Sequence, residues 1–172
     1  EYAESTRVFA SRLVKGSSKW TAPQVIAGNP FKSLGNPVVW QAPDGVVWLF
    51  YVTRFGETWS TSRIKAKISR DGAKTWSDSF LVTLQDGTMV RNQPIVLSDG
   101  DYLLPIYHET GADTEFTGAD STSRMLRFTP GQTQWREVGV IRSDKGNIHP
   151  GVVETSPGNL IAYCRRCGDY KP

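Results

Sequence analysis

Histidine, cysteine and long apolar runs are all scarce in this chain of 172 residues. It holds two histidines and two cysteines, and no apolar stretch approaches the roughly 18 residues that a membrane-spanning helix needs. No segment repeats apolar residues at the i, i+3, i+4, i+7 spacing of an amphipathic helix. The sequence therefore predicts no membrane span and no helix longer than a turn.

The two cysteines, Cys164 and Cys167, flank a pair of arginines. A single C-x-x-C pair is weak evidence for zinc, which usually takes four ligands. A redox motif normally opens a helix in a βαβ unit, and the sequence shows no such unit. We interpret them as two thiols or a short-range disulfide at a strand end, and we expect neither a metal nor a cofactor.

Charge of either sign is low and evenly scattered. The formal net charge is +3 and the isoelectric point is about 8.9, but lysine and arginine form no basic run. Nucleic acid is therefore not an expected partner. The small basic excess suits an anionic small ligand or glycan, and 11% aromatic residues suit a folded β protein.

Two sequence markers recur with one period, which is the signature of a repeat fold. One marker recurs at intervals of 56 and 59 residues, at Trp20, Trp76 and Trp135. The other recurs at intervals of 57 and 56 residues, at Pro37, Pro94 and Pro150. Each proline precedes two apolar runs separated by a Gly-containing turn, which predicts a β-hairpin.

A repeat of four strands matches one blade of a β-propeller. The chain would hold the end of one blade at residues 1–27, full blades at 34–84 and 91–142, and the first hairpin of another blade at 147–172. Because a propeller needs about four to eight blades, we expect the remaining blades from sequence outside this chain. Closure by several chains is the alternative.

Residues 69–76 read Ser-Arg-Asp-Gly-Ala-Lys-Thr-Trp, which resembles the Asp-box, or BNR repeat, of the sialidase-like β-propellers. Asp-Gly makes a tight hairpin turn, since the Asp side chain accepts backbone N–H bonds and Gly adopts positive φ without strain. The Trp ring can then be buried between sheets. The resemblance implies an all-β fold that forms part of a six-bladed propeller, with blades that are four-stranded antiparallel sheets.

In such a blade, the start of the first strand and the end of the second meet at one mouth of the central channel. Both histidines and several other polar residues fall there, and such a concentration indicates a polar ligand site. The residues at or beside these positions are Asn36, Arg54, Arg91, Asn92, Gln93, His108, Glu109, His149, Arg165 and Arg166.

The segment from His149 to Arg165 is similar to a sialidase segment that runs from a catalytic Glu to an Arg. That Arg belongs to a trio that clamps the substrate carboxylate in sialidases, and Arg165 matches it. His149 stands at the Glu position, so the chemistry need not be sialidase chemistry. A catalytic His in this fold also resembles propeller enzymes that act on rhamnose–glucuronate linkages, as hydrolases or lyases.

The resemblance implies cleavage of a glycosidic bond next to an acidic sugar, sialic or uronic, by a glycosidase or a lyase. Its substrate would be an acidic oligosaccharide, and its location secreted or lysosomal. The expected catalytic residues are His149, Glu109 and His108. The expected substrate-binding residues are Arg165, Arg91, Arg166, Gln93, Asn92, Asn36 and Arg54. The alternative is a non-catalytic glycan-binding or scaffold propeller.

Overall fold

The structure is a computed structural model that describes residues 6–113 and 116–167. Within these ranges every regular element is a β-strand except one 3₁₀ turn, Trp59–Thr61. The all-β prediction is therefore confirmed. No helix in the described part has the length and hydrophobicity to cross a bilayer. The outermost parts of the predicted first and last segments, 1–5 and 168–172, lie outside the described residues.

The strands form antiparallel sheets that follow one another along the chain. The first sheet pairs β1 (Val8–Ala10) with β2 (Gln24–Ala27). The second is a meander of four strands: β3 (Leu34–Gln41), β4 (Val47–Arg54), β5 (Ser62–Ser69) and β6 (Phe80–Leu81).

The third sheet has an interrupted first strand. It consists of β7 (Thr88–Val90), β8 (Ile95–Val96), β9 (Tyr102–His108), β10 (Thr122–Phe128) and β11 (Arg136–Ile141). Both β7 and β8 pair with β9, because the chain leaves the ladder between them. The fourth sheet is the hairpin of β12 (Asn147–Ser156) and β13 (Asn159–Arg166).

Four successive sheets, two of them built as meanders, follow the predicted order of hairpins along the chain. The third sheet begins at Thr88, three residues before the predicted start of its blade at residue 91. The described sheets form no closed ring. The propeller closure, the number of six blades and the blade ranges stay predictions.

The core lies mainly between the second and third sheets. All eight residues of β4 are buried, since its side chains face neighbouring sheets on both sides. The Trp48 ring stacks on Phe50 with centroids 5.5 Å apart, and Trp135 meets both rings edge-on at 5.8 and 5.6 Å. Edge-to-face aromatic pairs of this kind add stability beyond the area that they bury.

The predicted Asp-box turn lies between β5 and β6, and Asp71 is its hydrogen-bond centre. The Asp71 carboxylate accepts bonds from the backbone N–H of Lys74 and of Thr75, both at 3.0 Å, and from the Thr75 hydroxyl at 2.6 Å. Ser69 Oγ donates a further bond at 2.7 Å. These bonds hold the pKa of Asp71 well below its usual range. Gly72 has the positive φ, 72°, that the turn requires.

Each of the three repeat tryptophans lies in the connection that precedes the last strand of its sheet: Trp76 and Trp135 between third and fourth strands, and Trp20 between the two strands of the first sheet. Trp76 and Trp135 pack against the clusters that include the preceding sheet. Trp76 is half-buried rather than buried, which corrects the expectation. Trp20 is 66% exposed, because no sheet precedes it among the described residues.

Candidate functional site

A cavity of about 350 Å³ lies where the first strands of successive sheets begin and their second strands end. This end of the sheets is opposite the Asp-box, since β5 pairs its last residue with the first residue of β4. The cavity is lined by side chains and backbone from the second, third and fourth sheets and the loops beside them: Thr6, Leu34, Gly35, Asn36, Trp59, Met89, Arg91, Tyr107, Glu109, Thr117, Ile148, His149 and Arg165.

Two β-bulges direct polar side chains into this cavity. Asn36 and His149 have φ of 48° and 54°, and each lies where its strand leaves register with its partner. Each also precedes a repeat proline, Pro37 or Pro150, and a residue before proline normally keeps an extended conformation. A left-handed conformation at such a position costs energy and persists only where its surroundings hold it.

Tyr107 lies in the cavity wall and is only 1% exposed. Its hydroxyl oxygen accepts a 3.2 Å hydrogen bond from Asn36 Nδ2, and its ring meets the His149 ring edge-on at 5.0 Å. Burial, helped by the charge of Glu109, raises the pKa of Tyr107 above its usual value. The phenol therefore stays protonated and can donate a hydrogen bond but not act as a base.

His149 is half-buried between positive charges. Burial, then the charges of Arg91 and Arg165, lower the pKa of His149 to about 4. Both effects disfavour the imidazolium form, so the ring is neutral near pH 7. A neutral imidazole can accept a proton and so act as a general base. It cannot act as a general acid, because that role needs the protonated, cationic ring.

Glu109 shows the opposite tendency, towards holding a proton. Burial raises its pKa, and the charge of Arg165 offsets part of that rise. Its backbone N–H donates to the Gly87 carbonyl at 2.7 Å, which ties the residue to the start of the third sheet. Burial thus favours the protonated form of the Glu109 carboxyl group and the neutral form of the His149 ring.

Two predicted residues face away from the cavity, for one reason. Side chains alternate faces along a strand, so with Tyr107 and Glu109 in the cavity, His108 lies on the other side of its sheet. His108 Nε2 lies 3.3 Å from Gln85 Nε2 there, and burial lowers its pKa. By the same alternation Arg166 does not line the cavity, although its neighbour Arg165 does.

Three more predicted residues lie beside the cavity without lining it. Asn92 Nδ2 donates to the Pro150 carbonyl and Gln93 Nε2 to the Val39 carbonyl, both at 2.7 Å, so each joins the third sheet to a neighbour. Arg54 is 7% exposed, with its guanidinium 5.4 Å from the centroid of the Trp59 ring. Of the ten predicted site residues, the structure brings together Asn36, Arg91, Glu109, His149 and Arg165.

Sequence reasoning missed much of the cavity wall, including Leu34, Gly35 and Ile148. Gly35 and Ile148 directly precede Asn36 and His149, so the repeat register could have identified them. Trp59, from the 3₁₀ turn, also lines the cavity. Its ring packs directly against Gly35, where an added Cβ would stand 3.2 Å from the ring.

Nothing in the described residues forms a cluster of three or more His, Cys, Asp or Glu that could hold a metal ion. Cys164 and Cys167 are free thiols, half-buried and buried respectively. Burial raises the pKa of Cys167, which makes it a poor nucleophile. The ionisable groups that line the cavity belong to Arg91, Tyr107, Glu109, His149 and Arg165.

Comparison with known protein families agrees with the repeat fold. The profile of the BNR repeat-like domain matches residues 1–171. The chain belongs to the BNR repeat-like domain family. The Asp-box resemblance is thereby confirmed, and with it the sialidase-like character of the fold.

Two solved structures share the fold of this BNR domain at low sequence identity. The Hadza microbial sialidase Hz136 superposes with a TM-score of 0.71 at 17% identity, over 93% of this chain and 36% of that one. A protein of unknown function from Dyadobacter fermentans DSM 18053 gives 0.73 at 15% identity, over 92% and 51%. The chain thus spans about a third to a half of these proteins.

A comparison with curated protein sequences found no match. The family match and the two superpositions together establish the fold of this BNR domain.

Proposed function

We propose that this BNR domain binds an acidic sugar in the cavity and cleaves the glycosidic bond next to it. The observation that carries the proposal is the placement of Arg91 and Arg165 around a half-buried His149 and Glu109. Two guanidinium groups suit a carboxylate, which arginine binds through two parallel hydrogen bonds. The sialidase-like fold supports a sugar as the bearer of that carboxylate.

The pKa shifts support one division of labour. Glu109, whose pKa is raised, is the general acid that protonates the leaving oxygen. His149, which is neutral, is the general base. In hydrolysis it would take a proton from the attacking water. In elimination from a uronate it would take the proton α to the carboxylate, and the arginines would stabilise the enolate.

Substrate would itself make His149 a better base. Arg91 and Arg165 lower its pKa through their charges, and a bound carboxylate would offset those charges. The pKa of His149 would then rise towards the working pH, where a general base is most effective. Tyr107, held protonated, would donate a hydrogen bond to the sugar.

Binding is tested by calorimetric titration with sialylated and uronate-containing oligosaccharides. Arg165→Lys keeps the charge but loses the bidentate fork, so we expect binding to weaken about 10-fold to 100-fold, the loss of one charge-assisted hydrogen bond. Arg166→Lys is the matched control, since the neighbouring side chain lies outside the cavity. Unchanged binding in both Arg165→Lys and Arg91→Lys would place the ligand elsewhere.

Turnover is tested with His149→Gln on any oligosaccharide that binds. We expect turnover to be lost while binding remains. Product analysis separates the two reactions, because elimination gives an unsaturated uronate that absorbs in the ultraviolet and hydrolysis gives a reducing sugar alone. Full turnover in His149→Gln would exclude this residue as the base.

A non-catalytic, glycan-binding domain is the second candidate. The low pKa of His149 favours it, since a group with a pKa of about 4 is a weak base. Binding that depends on Arg165, with no product from any acidic glycan, would decide for this candidate.

A further inference from the structure

We propose that Asn92 is a positioning residue that holds His149 in the cavity. The sequence predicts Asn92 to bind substrate, but its side chain is engaged inside the protein. The inference rests on the proposed function for its effect on turnover. Its effect on the His149 ring can be measured without any substrate.

The contact that carries the proposal is the hydrogen bond from Asn92 Nδ2 to the Pro150 carbonyl, 2.7 Å long and partly buried. Pro150 directly follows His149 and has almost no exposed surface. The bulge between Ile148 and Gly151 takes this carbonyl out of the paired register with β13. A buried carbonyl needs a donor, and the Asn92 amide supplies one from the neighbouring sheet.

The conformation at His149 explains why the bulge needs an anchor. Its φ of 54° is unusual for any residue except glycine, and more so before a proline. Without outside support, the chain would relax towards an extended conformation, which would swing the imidazole away from Tyr107. The Asn92 bond, one residue along the chain, holds the carbonyl that such a relaxation would have to move.

Gln93 shows what a bond of this kind does where no strained residue depends on it. Its Nε2 donates to the Val39 carbonyl at the same length, 2.7 Å. Val39 lies in the regular part of β3, opposite Leu49. Asn92 and Gln93 are therefore neighbours that make equal bonds to opposite sheets, and only one of those bonds meets a left-handed bulge.

The experiment compares Asn92→Leu with Gln93→Met, two substitutions that keep the side-chain size and remove the amide donor. The pKa of His149 is measured by NMR titration of its ring, with His149→Gln and His108→Gln used to assign the signals. We expect the His149 pKa to rise from about 4 towards its usual value in Asn92→Leu, because the released ring reaches water. In Gln93→Met it should stay at the wild-type value.

Turnover gives the second measurement. A displacement of about 1 Å at a reacting group can cost on the order of 100-fold in rate, so Asn92→Leu should lower kcat by about 10-fold to 100-fold with a smaller change in KM. If the wild type shows no turnover, the proposed function fails, while the NMR titration still tests the positioning role.

An unchanged His149 pKa in Asn92→Leu would overturn the proposal. So would equal changes in both variants, because they would mean a general loosening of the sheets. If Asn92→Leu does not fold, the same titration on Asn92→Ser decides, since serine is tolerated in loops and is too short to reach the carbonyl.

Discussion

Gly87 is the glycine whose replacement should reveal how Glu109 is held. Its φ is 77°, and a Cβ added to it would stand 2.3 Å from the Glu109 carbonyl oxygen. Gly100 is the matched control, because its φ is 90° and a Cβ there would meet nothing within 4 Å. An alanine at either site incurs the cost of a left-handed conformation, about 1–2 kcal/mol, and only Gly87→Ala adds a collision.

The extra cost follows from the geometry. A carbon and a carbonyl oxygen normally stay about 3.3 Å apart or more, so the backbone of Glu109 would have to move by about 1 Å. The 2.7 Å bond from Glu109 N–H to the Gly87 carbonyl would be strained or lost, which costs about 0.5–1.5 kcal/mol. Overpacking typically adds about 1–3 kcal/mol. We expect Gly87→Ala to be about 2–4 kcal/mol less stable than Gly100→Ala.

Urea unfolding of both variants and the wild type at one pH measures the difference, with equal slopes as the check that only stability has changed. A Gly87→Ala midpoint equal to that of Gly100→Ala would refute the close approach. Where turnover is measurable, Gly87→Ala should also lower it, because Glu109 moves with its backbone.

Three further predictions concern other features of the structure. Trp76→Ala should lose about 2–4 kcal/mol in urea unfolding, less than a fully buried Trp loses, and should leave ligand binding unchanged; lost binding with an intact melting temperature would contradict a purely structural role. The folded pKa of His149, about 4, lies below its usual 6.5, so the stability that depends on its neutral ring is complete above about pH 6.5 and is lost as the pH falls towards 4. His149→Gln should flatten this dependence of the free energy of unfolding on pH, by up to about 3 kcal/mol. An unchanged pH dependence would contradict the lowered pKa. Asp71→Asn should lower the melting temperature measured by calorimetry, because the carboxylate accepts several N–H and O–H bonds that an amide cannot all replace. Asp78→Asn, at an exposed residue nearby, is its control. Equal melting temperatures in the two variants would contradict the stabilising role of Asp71 in the turn.

The strand pattern could be predicted because its causes are local. Alternating apolar runs bounded by Gly turns predict hairpins, and the Asp-box residues supply their own hydrogen bonds within a few positions of Asp71. The same alternation could also have sorted the cavity residues. It puts Tyr107 and Glu109 on one face and His108 on the other, so one of the two predicted histidines could have been excluded from sequence alone.

Two of the predicted residues that do not line the cavity lie where the chain leaves regular pairing. Asn92 and Gln93 fall in the gap between β7 and β8. Outside a strand, the alternation of side chains does not predict which way each one points. Their partners, the carbonyls of Pro150 and Val39, belong to other sheets and are more than fifty residues away. The left-handed conformation of His149 could not be predicted either, because a residue before proline ordinarily adopts an extended conformation.

The cavity draws its walls from three consecutive sheets, and this ties ligand binding to the cooperativity of the fold. Sheets in a repeat array contact mainly their neighbours, so each can open locally with its own free energy. A ligand that touches Asn36, Tyr107 and His149 together binds only when all three sheets are closed. It would therefore suppress the opening of each by the same binding free energy, and amide exchange would slow in all three sheets at once.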